Sequence, residues 1–121
     1  MKKTYDTPYG QMDCDENYLV FYLASHGITS FAAKEILSFA ADHYGNRPYV
    51  FIASRDFASP ISPDAYKTIN PKIMVGLAIV SESEAVKQEA YNEQELYGGS
   101  FSYFKTVEEA KDWAKTVIRD I

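Results

Sequence analysis

Two stretches of this chain are apolar with almost no polar interruption, YVFIAS at residues 49–54 and KIMVGLAIVS at 72–81. Runs of this kind read as strands buried on both faces, the pattern of a parallel sheet covered by helices. Around them the apolar positions change to a spacing of three and four. In TSFAAKEILSFAADHYG, residues Ala33, Ile36, Leu37, Ala40 and Tyr44 share one helical face, with Ser30 as the expected N-cap and Gly45 as the stop. Ser62-Pro63-Asp64 predicts a short helix over 63–69, which Asn70-Pro71 ends. The serine caps its first turn, the proline loses no hydrogen bond at the first position, and the aspartate suits the positive helix end.

SESEAVKQEAYNEQELYGG predicts a polar, acidic helix with Val86, Ala90, Glu93 and Leu96 or Tyr97 along one side. Ser81 and Glu84 have capping-box spacing, and Gly98-Gly99 closes the segment. SFSYF reads as a short strand. TVEEAKDWAKTVI opens on another capping box, Thr106 with Glu109. Its stripe of Val107, Ala110, Trp113 or Ala114, Val117 and Ile121 should dock on the sheet. At the other end, TYDTPYGQMDCDENYLVFYL reads as strand, turn and strand, turning at Asp15-Glu16-Asn17, with a bend or bulge at Pro8-Tyr9-Gly10. The order is ββαβαβαβα, one α/β domain over residues 1–121 with a sheet parallel at its centre.

Composition narrows the partners. Twelve basic and seventeen acidic residues give a net charge of −5, and no basic run extends beyond Lys2-Lys3. Nucleic acid and anionic membranes both call for a clustered basic patch, so neither is expected as a partner. The apolar runs are too short to span a bilayer, and the basic start MKKTYDTPYG has no apolar core behind it, so neither stable membrane insertion nor a signal peptide is expected. A lone cysteine, Cys14, excludes an internal disulfide and fits a reducing, cytoplasmic setting. Ten tyrosines and seven phenylalanines suit a Tyr-edged core, or the lining of an aromatic pocket.

Candidate chemistry is sparse. His26 and His43 have no metal-spaced partners, and acidic neighbours should raise the Cys14 thiol pKa. No phosphate loop or nucleophile elbow occurs. No catalytic residue, metal or cofactor is therefore assigned, and a non-enzymatic protein is expected. Glu82, Glu84, Glu89, Glu93 and Glu95 read as a solvated face or an acidic docking surface. The loop SRDFASPISPDAY, 54–66, starts at a strand's carboxyl end, where open α/β sheets place ligands. Arg55 there reads as solvated or locally paired, its candidate partners being Asp56 and an anionic group. Asp56 equally suits capping the loop's own backbone. Ser62 is an N-cap worth about 1 kcal/mol, or a phospho-acceptor whose added charge the helix end favours.

RPYVFIASRDFASPISPDAYKTI, MVGLAIVSES and FSYFKTVEEAKDWAKTV together resemble small single-domain STAS/SpoIIAA-like proteins. The resemblance covers roughly residues 49–121, and more loosely the initial hairpin and first long helix. It implies a mixed sheet of about five strands flanked by about four helices, and regulation by protein contact. The best-known members are antagonists of anti-sigma factors, switched by phosphorylation of a Ser or Thr at the helix after a central strand. Ser59 and Ser62 lie nearest that place here, but SPISPDAY replaces the Asp-Ser-Ser-Gly-Leu-type signature. A contact surface is therefore expected more than a phosphorylation switch.

The expected function is a bacterial cytoplasmic regulatory or protein-interaction domain, using Ser54, Arg55, Asp56, Phe57, Ser59, Ser62, Asp64 and Tyr66. The alternative is a carrier or sensor of a small apolar, lipid-like ligand between sheet and helices, its cavity edged by Phe57 and Tyr66. The expected partner is another protein, with a homodimer as a further candidate.

Overall fold

The computed structural model describes residues 2–24, 28–58 and 60–121. Six strands lie side by side in chain order: β1 (Lys3–Thr7), β2 (Gly10–Cys14), β3 (Tyr18–Leu23), β4 (Tyr49–Ser54), β5 (Met74–Val80) and β6 (Ser100–Phe104). β1, β2 and β3 pair antiparallel, and β3 to β6 are parallel. The helices are α1 (Ser30–Tyr44), α2 (Pro63–Tyr66), α3 (Glu84–Glu93) and α4 (Val107–Arg119), with a 3-10 turn at Gln94–Leu96. The mixed α/β architecture is as expected, with one strand more.

The extra strand comes from Pro8-Tyr9-Gly10, which makes a hairpin turn instead of a bend. Thr7 Oγ1 accepts from Tyr9 N at 3.1 Å and donates to Gly10 O at 2.8 Å. Gly10 has φ 146°, and a Cβ there would fall 2.0 Å from the Tyr22 carbonyl oxygen. Only glycine fits so close to a neighbouring strand. The second turn lies at Asp15-Glu16-Asn17, closed by Asp15 N donating to Tyr18 O at 2.8 Å.

The parallel strands are joined through α1, α2 and α3, which cover one face over Met12, Phe21, Phe51, Leu77 and Ile79. On the other face α4 sets Ala110 and Ala114 against Val20, Val50, Ile52, Ala78 and Val80. Small residues let the α4 backbone approach the sheet. Of the predicted stripe, Ile121 falls beyond the helix and is exposed.

Two caps differ from expectation. Thr29, not Ser30, caps α1 by accepting from Ala32 N, and Ser83, not Ser81, caps α3 by accepting from Val86 N. Ser81 is buried and braces the turn by accepting from Ser83 N at 3.1 Å. α2 stops at Tyr66, short of Ile69, and of the pair Leu96 and Tyr97 it is the tyrosine that is buried. Thr106 caps α4 as its capping box predicts, accepting from Glu109 N at 3.2 Å. Among the described residues no helix is long and apolar enough to cross a membrane.

Candidate functional site

β4 ends at Ser54, and the next side chain turns a guanidinium into the interior. Arg55 is 1% exposed and Glu93, at the last position of α3, is 2% exposed. Arg55 Nη1 donates to Glu93 Oε1 at 2.9 Å and Nη2 to Oε2 at 3.0 Å, a bidentate pair. Tyr66 Oη donates to Oε1 at 2.7 Å, and the Ile61 backbone N–H to Oε2 at 3.2 Å. Arg55 Nε donates to the Phe57 carbonyl at 3.3 Å, and the guanidinium lies 5.5 Å from the Phe57 ring centroid. One carboxylate thus holds the loop at its beginning, through Arg55, and again at its end, through Ile61 and Tyr66.

Local sequence explains the meeting. Val86, Ala90 and Glu93 follow one another at helical spacing, and all three are buried. That spacing sends Glu93 to the interior side of α3. Arg55 is carried to it by β4, and Tyr66 by α2, whose start Ser62 fixes by accepting from Asp64 N at 3.1 Å.

Burial alone would raise the Glu93 pKa, but hydrogen bonds from Arg55, Glu89 and Tyr66, with the Arg55 charge, hold it below the usual glutamate value. Hydrogen bonding to Glu93, then burial, raises that of Glu89. Burial and the neighbouring Glu93 carboxylate raise the Tyr66 hydroxyl far above its ordinary value. At neutral pH this is an anion, a cation and a neutral phenol, each satisfied. The arrangement fixes geometry, and half-buried Glu89 is the further titratable group in contact with it.

The structure corrects two expectations. Arg55 is neither solvated nor paired to Asp56; Asp56 is exposed, and the partner is Glu93. Glu93 is accordingly lost from the acidic surface, leaving Glu82, Glu84 and Glu95 exposed and Glu89 half-buried. Of the other loop residues, Phe57 and Tyr66 are buried, Ser54 and Ser62 half-buried, and Asp64 exposed with Lys67 at 3.5 Å. Ser59 and His26 lie outside the described residues. The signal for Glu93 was present as a lone charge on an apolar stripe, but its partner is 38 residues away.

Beside the ion pair, between the sheet and α1 and α2, lies an apolar cavity of about 80 Å³. Phe21, Ile36, Phe51, Ile61, Tyr66 and Leu77 are among its lining residues. Tyr66 edges it as expected, whereas Phe57 does not line it and packs beneath the Arg55 guanidinium instead. Cys14 is buried elsewhere, and burial pushes its thiol up to about 11.

No family model matches the chain, and no curated protein matches it. Among solved structures, an uncharacterized protein of the DUF3478 family with a SpoIIAA-like fold, from Shewanella loihica PV-4, superposes with a TM-score of 0.60 at 15% identity. The match covers 94% of this chain and 92% of that one. The present chain has a SpoIIAA-like fold.

Proposed function

We propose that this chain is a non-enzymatic protein-interaction domain of regulatory type, and that its contact surface is the loop 54–66 with α2. The observation that supports this reading is the buried Arg55–Glu93 pair, which spends four hydrogen bonds to one carboxylate on fixing that loop. Removing one partner of such a pair is costly, yet replacing both by apolar residues is often harmless, so stability alone gives little reason for it. Anchoring the loop at both ends does give a reason, because a contact surface whose ends are already placed loses less entropy on binding. Its exposed crest carries Asp56, Pro60, Pro63 and Asp64. The test is a photo-crosslinking residue at Asp56 or Asp64, compared in the native cell with one at exposed Lys115 on α4. Adducts of defined mass from the loop positions and none from Lys115 support the reading; equal or absent labelling at all three refutes it.

The cavity favours a second reading, a small apolar ligand. Its volume of about 80 Å³ is below the roughly 150 Å³ of an engineered cavity that takes benzene, and far below the roughly 300–1,000 Å³ of ordinary ligand sites. A lipid-like occupant therefore requires α1 and α2 to move off the sheet. Native mass spectrometry of freshly purified protein tests this, and a bare mass in every preparation counts against it.

A further inference from the structure

Each oxygen of the Glu93 carboxylate accepts two hydrogen bonds. Oε1 accepts from Arg55 Nη1 at 2.9 Å and Tyr66 Oη at 2.7 Å, and Oε2 from Arg55 Nη2 at 3.0 Å and the Ile61 N–H at 3.2 Å. All four donors belong to the loop 54–66. The helix that carries Glu93 brings a second carboxyl to the same place. Glu89 stands one turn earlier on α3, at the four-residue spacing that makes side chains neighbours, where like charges repel. It is half-buried, and Asn92 Nδ2 donates to its Oε1 at 3.5 Å. The Glu89 and Glu93 carboxyl groups are also hydrogen-bonded to each other. Two ionised carboxylates have no donor between them, so one of the pair must supply an O–H. Glu93 already has four donors and a guanidinium, all of which favour its charged form. The proton therefore sits on Glu89, which adds a further donor to the carboxylate that anchors the loop.

The charged and titratable groups around Glu89 are Glu93 on its own helix, Arg55 after β4 and Tyr66 on α2. Arg55 is the cation of this set, and both of its Nη groups are engaged by Glu93. We propose that the single proton held between Glu89 and Glu93 is a lock on the contact loop, which is anchored most firmly while the pair carries that proton and loosens when it is lost. Reading 54–66 as the contact surface gives the lock its purpose; the lock itself is a property of the isolated chain. Loss of the proton removes one donor from Glu93 and sets a like charge one helical turn away. Geometry thus gives the device, and the titration of the pair gives its limits. The native value of Glu93 lies below the usual glutamate range and that of Glu89 above it, so one proton is shared between those limits, two below and none above. Acid beyond the window neutralises the anchor. Rising pH removes its extra donor, and contact through the loop then has to order a looser segment.

Hydrogen exchange of the full chain tests the lock at the Ile61 N–H, which donates to Glu93 directly. Protection is read as the ratio of exchange rates in the unfolded and native chain at one pH, so the general acceleration of exchange with pH cancels. As pH rises from the ordinary glutamate range to about pH 8, wild-type protection at Ile61 should fall about fivefold, the effect of one lost hydrogen bond. Glu89→Gln, whose amide donates without titrating, should keep protection high throughout. Glu89→Ala, with neither donor nor charge, should be low throughout; a merely structural Glu89 would give the two variants the same profile. A flat wild-type profile overturns the proposal, as does a fall that survives in Glu89→Gln. No partner is needed for either result, so neither decides the contact reading, which stands or falls on cross-linking at Asp56 and Asp64. Absent adducts there with a titrating Ile61 would refute the contact surface and uphold the lock.

Discussion

Replacing Glu93 with leucine strands the Arg55 guanidinium in the core. Arg55 is 1% exposed and loses both charged acceptors at once, while Tyr66 Oη and the Ile61 N–H lose theirs. Removing one partner of a buried pair costs about 3–5 kcal/mol, a large part of the roughly 5–15 kcal/mol that holds a domain of this size together. At about 4 °C per kcal/mol the melting temperature should fall by roughly 12–20 °C. Arg55→Met should cost less at pH 7. A stranded glutamate can take up a proton and become neutral, whereas arginine stays charged. The Arg55→Met deficit should therefore shrink as pH falls, and the Glu93→Leu deficit should not shrink in step. Arg55→Met/Glu93→Leu should recover part of the single-variant loss, and adding Tyr66→Phe should recover more by removing the orphaned hydroxyl. Urea unfolding followed by circular dichroism gives each value at constant m. A Glu93→Leu loss below about 1 kcal/mol, the range of exposed pairs, would refute the reasoning. So would a double variant whose loss is the sum of the singles.

The stability of the wild type relative to Glu93→Gln should be fully present above the ordinary glutamate range near pH 4.5 and should decline as pH falls through the lower native value of Glu93, because a depressed carboxyl binds its proton less readily when folded. Glu89 works in the opposite sense: its raised native value gives stability that is fully present below the ordinary glutamate range and lost as pH rises through that raised native value, so Glu89→Gln should remove this pH dependence from the measured profile. Cys14, with its thiol pushed up to about 11, should react with a thiol reagent at pH 8 only after denaturant is added; rapid labelling of the native protein would contradict its burial. Gly10→Ala forces a side chain into φ 146° and within 2.0 Å of the Tyr22 carbonyl oxygen, and should cost more than the roughly 1–3 kcal/mol of backbone strain alone, read as a lower urea midpoint. Tyr66→Phe keeps the ring that lines the cavity and removes the hydroxyl on Glu93, so hydrogen exchange at residues 56–62 should accelerate while xenon occupancy of the cavity is unchanged.

What was legible along the chain was what the chain settles locally. β4 runs over Tyr49–Ser54 as its uninterrupted apolar run predicts, and Thr106 and Gly45 delimit their helices as their residue types require. The hairpin of β1 and β2 escaped because its strands carry Lys3, Asp6, Gln11 and Asp13 on surfaces that need little apolar pattern. Its decisive residue is Gly10, whose role depends on Tyr22, a residue of another strand. The misplaced caps are of the same kind. Ser30 and Ser81 are as able to cap as Thr29 and Ser83, and packing of the helix against the sheet chooses between neighbours.

The site was less legible because its parts are individually ordinary. An arginine after a strand and a glutamate on an acidic helix are each most simply solvated, and only their meeting across the fold makes them an ion pair. Once they meet, the same contacts tie together the two functional readings. Tyr66 lines the cavity with its ring and binds Glu93 with its hydroxyl, and Ile61 does likewise with side chain and backbone N–H. Widening the cavity to ligand size by lifting α2 would pull both donors from a buried carboxylate. That carboxylate would remain charged against Arg55, so the opening carries the cost of two lost charged hydrogen bonds, about 1.5–3 kcal/mol each. The pair that orders the loop therefore also keeps the cavity small. That favours the proposed contact at the loop, anchored at both ends on Glu93, over the proposed ligand in the cavity.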